Sequence, residues 1–191
     1  MVKFNAIIEK KDKIRKEILE RLRSQNSFDR IRKSAEIKEK LFQMSAFKLS
    51  KCVMFYVSKG YEVDTQGMII EALKQGKRIA VPVTLTGEKK IIPSEIKTPE
   101  VELEKGPFGI RQPKKEYIRP VPTDNIDTVI TPGVAFDENG NRIGHGMGYY
   151  DIFLKSIPNK TQVYGLAFDF QIVGEVPTLS WDVPVKKVIS A

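Results

Sequence analysis

Apolar residues recur at helical spacing over the first two dozen positions. Ile7, Ile14, Ile18 and Leu22 share one face while Lys and Arg fill the others, which predicts an amphipathic helix ending near residues 24–26. Ser27 is placed to cap a second helix, with Ile31, Ala35 and Phe42 on one side. The period then shortens. The run CVMFYV at 52–57 is continuously apolar and rich in β-formers, which suits a strand covered on both faces. Asp64 or Thr65 caps the next helix, which runs through Lys74, and Gly76 stands where a left-handed C-terminal residue belongs. IAVPV at 79–83 is the following strand.

Residues 84–125 are broken by Gly87, Pro93, Pro99, Gly106, Pro107, Gly109, Pro113, Pro120 and Pro122. That density predicts short strands and long loops, with room for a lid. Order resumes with IDTVIT at 126–131, and ENGN at 138–141 has hairpin-turn chemistry between two short extended pieces. A helix starts near Tyr149, and further strands are expected at 163–167 and 185–189. Strands alternating with helices predict an α/β fold: an open, mostly parallel sheet flanked by helices, a Rossmann-like three-layer sandwich. With no internal repeat, low-complexity segment or composition break, residues 1–191 are expected to form a single domain.

Composition changes the choice of partners more than the fold. The 191 residues hold 32 Lys+Arg against 24 Asp+Glu, a formal charge of +8, with 41% hydrophobic and 29% charged. This excludes a disordered tail and a membrane-embedded chain. The longest wholly apolar run, 52–57, is far below the ~20 residues of a spanning helix. The opening MVKFNAIIEKKDKIRKEILERL interleaves charges with apolar residues, unlike a secretory signal, so a cytoplasmic protein is expected. One cysteine excludes an internal disulfide framework, and one histidine excludes a His-rich metal cage. Cys52 itself reads as a buried small hydrophobe. The positive excess points to anionic partners: nucleic acid, acidic membrane, or small molecules bearing phosphate or carboxylate.

The densest candidate chemistry lies at PGVAFDENGNRIGHGMGYYD, residues 132–151. Gly144, Gly146 and Gly148 alternate directly before a predicted helix. Such glycines let backbone N–H groups converge, and a helix N-terminus adds partial positive charge, both of which favour a phosphate. Arg142 can add a charge-assisted hydrogen bond. The segment reads equally as a turn that returns a hairpin to the sheet. It matches neither the Walker A loop nor the dinucleotide fingerprint, since Tyr149 stands where the third glycine would be. Lys11 and Arg15 share a helix face and could clamp phosphate oxygens, or form part of a solvated basic face with Lys10, Lys13 and Lys16. Glu62 follows a strand's C-terminal end, where open α/β sheets bind ligands; it is a heterocycle acceptor or an exposed loop carboxylate. Asp151 and Asp182 are candidate oxygen ligands for Mg²⁺, and Asp151 reads equally as a first-turn carboxylate that relieves a helix dipole. Phe108 can pack on a planar ligand or under its own loop. His145, with no nucleophile motif nearby, suits ligand contact better than a hydrolytic triad.

Taken in order along the chain, these residues resemble the 5-formyltetrahydrofolate cyclo-ligase (5,10-methenyltetrahydrofolate synthetase) family. The resemblance runs from Lys11-x-x-x-Arg15 through Glu62-Val-Asp-Thr65, Gly76-Lys77, Gly106-x-x-Gly-Ile110 and Pro132-Gly-x-x-Phe-Asp137. It continues in Arg142-x-Gly-x-Gly-x-Gly-Tyr-Tyr-Asp151, Gly165-Leu-Ala-Phe and Asp182-Val-Pro-Val185. It implies an α/β sandwich and ATP- and Mg²⁺-dependent closure of 5-formyltetrahydrofolate to 5,10-methenyltetrahydrofolate, with ADP and phosphate released. It implies ATP contacts at Lys11, Arg15, Arg142, Ile143, Gly144, His145, Gly146, Met147, Gly148, Tyr149 and Tyr150. Of these, Arg142 and Tyr149 are implied to be catalytic. Folate contacts are implied at Val57, Glu62, Phe108, His145, Gly146, Met147, Gly148 and Tyr149, and metal ligands at Asp151 and Asp182. Three positions depart from the family pattern: Trp181 for a common His, Ile152 for Arg in many bacterial members, and Met147 for the Lys of some relatives.

The expected partners are therefore ATP and a folate, with a polyglutamate tail or without one, bound by a monomer that engages neither nucleic acid nor membrane. Two rivals remain at this level. One is a basic nucleic-acid-binding module, which lacks aromatic residues interleaved with its basic ones. The other is a phosphotransferase or CoA-type transferase on a similar sheet.

Overall fold

A computed structural model describes residues 2–191. Three helices open the chain: α1 (Val2–Ser24), α2 (Ser27–Gln43) and the short α3 (Ser45–Leu49). Strand β1 (Cys52–Met54) leads through α4 (Gln66–Lys74) to β2 (Arg78–Leu85), which turns back as β3 (Lys90–Ile96). Helix α5 (Pro99–Glu102) and a small hairpin, β4 (Leu103–Lys105) with β5 (Arg111–Pro113), follow. Strand β6 (Thr128–Thr131) returns to the main sheet. A second small hairpin, β7 (Ala135–Phe136) with β8 (Arg142–Ile143), precedes α6 (Tyr149–Lys155). Strands β9 (Gln162–Ala167) and β10 (Lys187–Ser190) complete the sheet.

The six-stranded sheet has the order β10-β9-β6-β1-β2-β3 and is parallel except for β3. Alternate residues of each strand serve opposite faces. Val53, Phe55, Ile79, Val81, Ile130 and Leu166 pack with Ile18, Leu22, Ile37, Leu41, Phe47, Met68 and Ile69 of α1 to α4. Met54, Ala80, Val129, Val163 and Ala167 pack on the other side with Phe136 and with Phe153 and Leu154 of α6. This is the expected open, mostly parallel α/β sandwich. No helix among the described residues is long and apolar enough to cross a membrane.

Three local expectations are corrected. Asn26, not Ser27, caps α2, its side chain accepting from the Phe28 N–H at 2.8 Å. The buried stripe of α2 is Ser34, Ile37 and Leu41, whereas Ile31 is 63% exposed and Ala35 is also exposed. Both stripes fit a helical period, and only packing against the sheet selects between them. Short strands and long loops hold for 103–125 but not for β3, which pairs with β2 over seven positions. Its Pro93 is tolerated because β3 is an edge strand. Segment 119–121 covers that edge, with Glu95 N–H donating to Arg119 O (2.8 Å) and Val121 N–H to Pro93 O (2.9 Å).

Phe136 ties the second hairpin to the sheet. A Cβ at Gly133 would lie 2.3 Å from its ring and one at Gly165 2.4 Å away, so strand β9 carries glycine where the ring crosses it. Gly165→Ala should destabilise the fold by about 1–3 kcal/mol through overpacking. Thermal unfolding checks this, and pairing it with Phe136→Leu should recover much of the loss. Equal melting temperatures for Gly165→Ala and wild type would contradict the crossing.

Candidate active site

Strands step outward from β1 in both directions, to β2 on one side and β6 on the other. The chain exits of β1 and β6 therefore diverge, leaving a crevice at their C-terminal ends, where open α/β sheets place ligands. A cleft of about 580 Å³ occupies it. Tyr56, Val57, Lys59 and Glu62 line it from beyond β1. Pro132, Arg142 and the loop 143–148 line it from beyond β6, with Tyr149 to Ile152 of α6 alongside. Helix α1 contributes Ile8, Lys11 and Arg15, and the segment before β10 contributes Leu179, Trp181 and Asp182. Every candidate residue named from the sequence lines this one cleft: Lys11, Arg15, Val57, Glu62, Phe108, 142–151 and Asp182.

The hairpin that delivers Arg142 is fixed by Asp137. Its Oδ1 accepts from the N–H groups of Asn139 (3.0 Å) and Asn141 (2.9 Å). Its Oδ2 accepts from the Asn141 amide (2.9 Å) and from Val176 N–H (3.0 Å). Gly140 completes the turn with φ +81°, where a Cβ would also strike the Val185 carbonyl at 2.2 Å. Burial, the largest influence on Asp137, pushes its pKa up, but the four donors outweigh it and hold the carboxyl below its ordinary value. A depressed folded pKa stabilises fully above the ordinary carboxyl range, and the stabilisation is lost as pH falls through the folded value. Stability should therefore decline on acidification below about pH 4. Asp137→Asn should be less stable at neutral pH and show a shallower acid decline; urea titrations at several pH values check both. An acid limb unchanged by the substitution would contradict the assignment.

At one end of the cleft, cations and carboxylates are interleaved. Arg142 is buried; its Nη2 donates to Asp151 Oδ1 at 2.9 Å, and its Nη1 to Pro132 O at 3.4 Å. Burial lowers its pKa while Asp151 and Tyr150 oppose the shift, and a guanidinium so placed remains a cation. Its Nε and the Tyr150 hydroxyl are buried with no partner among the described residues. Burial raises the Tyr150 pKa strongly, opposed by Arg142, so the phenol stays a neutral donor. Orphaned donors in a cleft wall are sites for a ligand or an ordered water. Lys11 is 7% exposed and ion-paired with Asp182, and Arg15 Nε donates to Gly144 O at 2.8 Å. Lys11 is turned inward onto Asp182, and Arg15, which also pairs with Asp12, reaches the glycine loop, so the two do not form a freely solvated face.

Asp182 Oδ2 serves Lys11 and the Leu179 N–H, while Asp151 Oδ1 serves Arg142 and the Val183 N–H. Each carboxylate keeps its second oxygen free of hydrogen bonds among the described residues. No group of three metal-ligating side chains converges among the described residues. Two carboxylates with free oxygens fit Mg²⁺, which binds through one or two carboxylates together with substrate phosphates and waters.

The loop between these groups bends tightly, with Gly146 (φ +94°) and Gly148 (φ +70°) in the left-handed region that favours glycine. At the other end of the cleft, Glu62 accepts from Lys59 N–H at 2.7 Å and lies 3.3 Å from His145 Nε2. Val57 is buried beside it. Phe108, half exposed and itself at φ +58°, meets Tyr149 edge-on at 5.9 Å between centroids. A bulky residue at positive φ costs about 1–3 kcal/mol and marks a position held by its surroundings.

Lys89, Tyr56 and Lys155, which no sequence motif marks, also line the cleft, as does Trp181, which stands out in the sequence only as a departure from the family pattern. Lys89 stands in the β2–β3 turn at φ +50°, and its Nζ is 3.8 Å from the position of a Cβ on Gly148. No local pattern distinguishes it from Lys90; the hairpin alone carries it across.

The model of the 5-formyltetrahydrofolate cyclo-ligase family matches residues 7–191. The 5-formyltetrahydrofolate cyclo-ligase of Mus musculus is 30% identical over 193 residues, covering 92% of this chain and 91% of the mouse protein. That of Escherichia coli K12 is 34% identical over 143 residues, covering 74% of this chain and 79% of the bacterial one. Among solved structures, 5,10-methenyltetrahydrofolate synthetase of Aquifex aeolicus aligns with a TM-score of 0.82 at 32% identity, covering 94% of this chain and 89% of that one.

Proposed function

The chain belongs to the 5-formyltetrahydrofolate cyclo-ligase family, converting 5-formyltetrahydrofolate to 5,10-methenyltetrahydrofolate, and from that premise we propose that its cleft drives the closure with MgATP. The observation that carries this reading is the make-up of the cleft: Arg15 meets the glycine loop at Gly144, with Arg142 and the Lys11–Asp182 pair lining the same cleft, while Glu62 meets the loop at His145 among apolar and aromatic walls.

A formamide carbon is a poor electrophile, and its oxygen a poor leaving group. In the proposed reaction the formyl oxygen attacks the γ-phosphorus of ATP, the bond to the β–γ bridging oxygen breaks, and ADP leaves. N10 of the folate then attacks the formyl carbon, the carbon–oxygen bond breaks with inorganic phosphate departing, and N10 loses its proton to solvent. No enzyme nucleophile is needed, so positioning and charge neutralisation carry the catalysis.

Lys11, Arg15, Arg142 and the backbone of 143–150 bind the triphosphate, with Arg142 and the Tyr149 side of the loop nearest the transferred group. Glu62 accepts from N–H groups of the pterin, and Val57, Phe108 and residues 145–149 enclose it. Mg²⁺ would be held by Asp151 and Asp182, where it neutralises phosphate charge. Both carboxylates and all the cations line one cleft, which supports reading residues 1–191 as a single domain. Inward-turned Lys11 and Arg15 favour a small-molecule site over a nucleic-acid surface, in keeping with a cytoplasmic enzyme.

The mechanism is tested with 5-formyltetrahydrofolate carrying ¹⁸O in its formyl group. Label recovered in inorganic phosphate is expected. Label retained in water, with unlabelled phosphate, would contradict phosphorylation of the formyl oxygen.

A further inference from the structure

Charge neutralisation does not account for the aromatic side chain at the phosphate end of the cleft. Trp181, the only tryptophan of the chain, is 47% exposed and lines the cleft immediately before Asp182. Phe4 lies behind it at 5.8 Å between centroids, and the rings are tilted by 54°, so Phe4 supports the indole without covering its face as a stacked partner would. Leaving so much indole in water forgoes the burial that aromatic rings ordinarily gain.

Helix α1 gives this arrangement a direction. Positions 4, 8, 11 and 15 fall on one helical face. That face passes from Phe4 and Ile8 to the cations Lys11 and Arg15. Ile8, Leu179 and Ile152, the last 46% exposed, line the cleft on the apolar side of that gradient. A nucleotide has the same polarity, with a flat, largely apolar base at one end and a polyanion at the other. The backbone ties the two halves together, because Trp181 adjoins Asp182, the partner of Lys11.

We propose that Trp181, backed by Phe4, is the seat of the nucleobase and selects purine over pyrimidine nucleoside triphosphates. The inference rests on the reading of this cleft as an ATP site. The two-ring purine overlaps an indole more fully than a pyrimidine does, so stacking separates the bases without hydrogen bonds to their edges. No polar side chain on this wall is needed for the discrimination.

Because Trp181 is the sole tryptophan, indole fluorescence of the unmodified protein reports on this ring alone. MgATP, MgCTP and magnesium tripolyphosphate are titrated against it, with binding followed in parallel by calorimetry. MgATP should quench or shift the emission, MgCTP should bind more weakly, and tripolyphosphate should bind without an optical change. Trp181→Ala should bind MgATP about tenfold more weakly, the scale of lost base–aromatic stacking, with tripolyphosphate affinity unchanged. Trp181→Phe should restore most of the difference. Because the ring is exposed, both variants should fold, as circular dichroism checks. Calorimetric ATP binding with silent fluorescence and wild-type affinity in Trp181→Ala would overturn the nucleobase seat while leaving the ATP site intact. No calorimetric ATP binding to folded wild-type protein would overturn both.

Discussion

Arg142→Ala should lower kcat/KM for ATP by about 10²–10³-fold, the cost of removing one preorganised donor from developing charge. KM for the folate should stay near its wild-type value. The effect is large because Arg142 is the cation that the fold has already desolvated and oriented. It is buried, its Nη2 is held by Asp151 at 2.9 Å, and its Nε is free of any partner among the described residues. A charge so placed acts on phosphoryl oxygens without the screening that weakens a surface lysine. The substitution also strands Asp151, and breaking a buried pair costs about 3–5 kcal/mol. Arg142→Lys separates the two effects. It keeps the charge beside Asp151 and so most of the stability, but loses the planar fork, and catalysis should still fall. Thermal unfolding alongside steady-state kinetics, with each substrate varied in turn, decides the point. A variant with wild-type kcat/KM for ATP would contradict the role.

Glu62→Ala should do the reverse, lowering kcat/KM for 5-formyltetrahydrofolate about 100-fold, the scale of two hydrogen bonds to a charged group. Use of ATP should change little. The carboxylate is positioned before substrate arrives, by the Lys59 N–H at 2.7 Å and by His145 at 3.3 Å. Glu62→Gln should fall between, since the amide keeps one acceptor and puts a donor where the second stood. Kinetics with each substrate varied would show the split. Identical losses on both substrates, for both Arg142 and Glu62 variants, would contradict a cleft with two chemically distinct ends.

Much of this site was legible because its chemistry is local in sequence. Residues 137–151 carry their own turn, their own glycines and the start of their own helix, so chain pattern and geometry coincide. Lys11 was harder to read, although its signal is present. It occupies the stripe that Ile7, Ile14, Ile18 and Leu22 define, where a surface lysine does not belong, and the structure buries it against Asp182. Lys89 had no such signal, and Trp181 stood out only as a departure beside Asp182. Their places depend on a hairpin register and on the path of the chain before β10, both of which are long-range.

The fold shows the same division. Alternation within the parallel strands set the two faces of the sheet, because a strand covered on both sides leaves few other choices. Strand β3 was hidden by Pro93, whose effect depends on whether a strand is central or at the edge, and edge position is a property of the whole sheet. Asn26 and Ser27 can each cap α2, and Ile31 and Ile37 can each face a core; tertiary packing made both decisions.

Coupling of ATP cleavage to closure of the folate ring in this one cleft requires the two products to appear together. Purified protein with 5-formyltetrahydrofolate and magnesium is monitored for the methenyl chromophore while ADP is quantified, with ATP present and with ATP withheld. Chromophore growth is expected only with ATP, with one ADP for each product formed. Chromophore growth without ATP, or folded protein that forms neither product nor ADP, would contradict it.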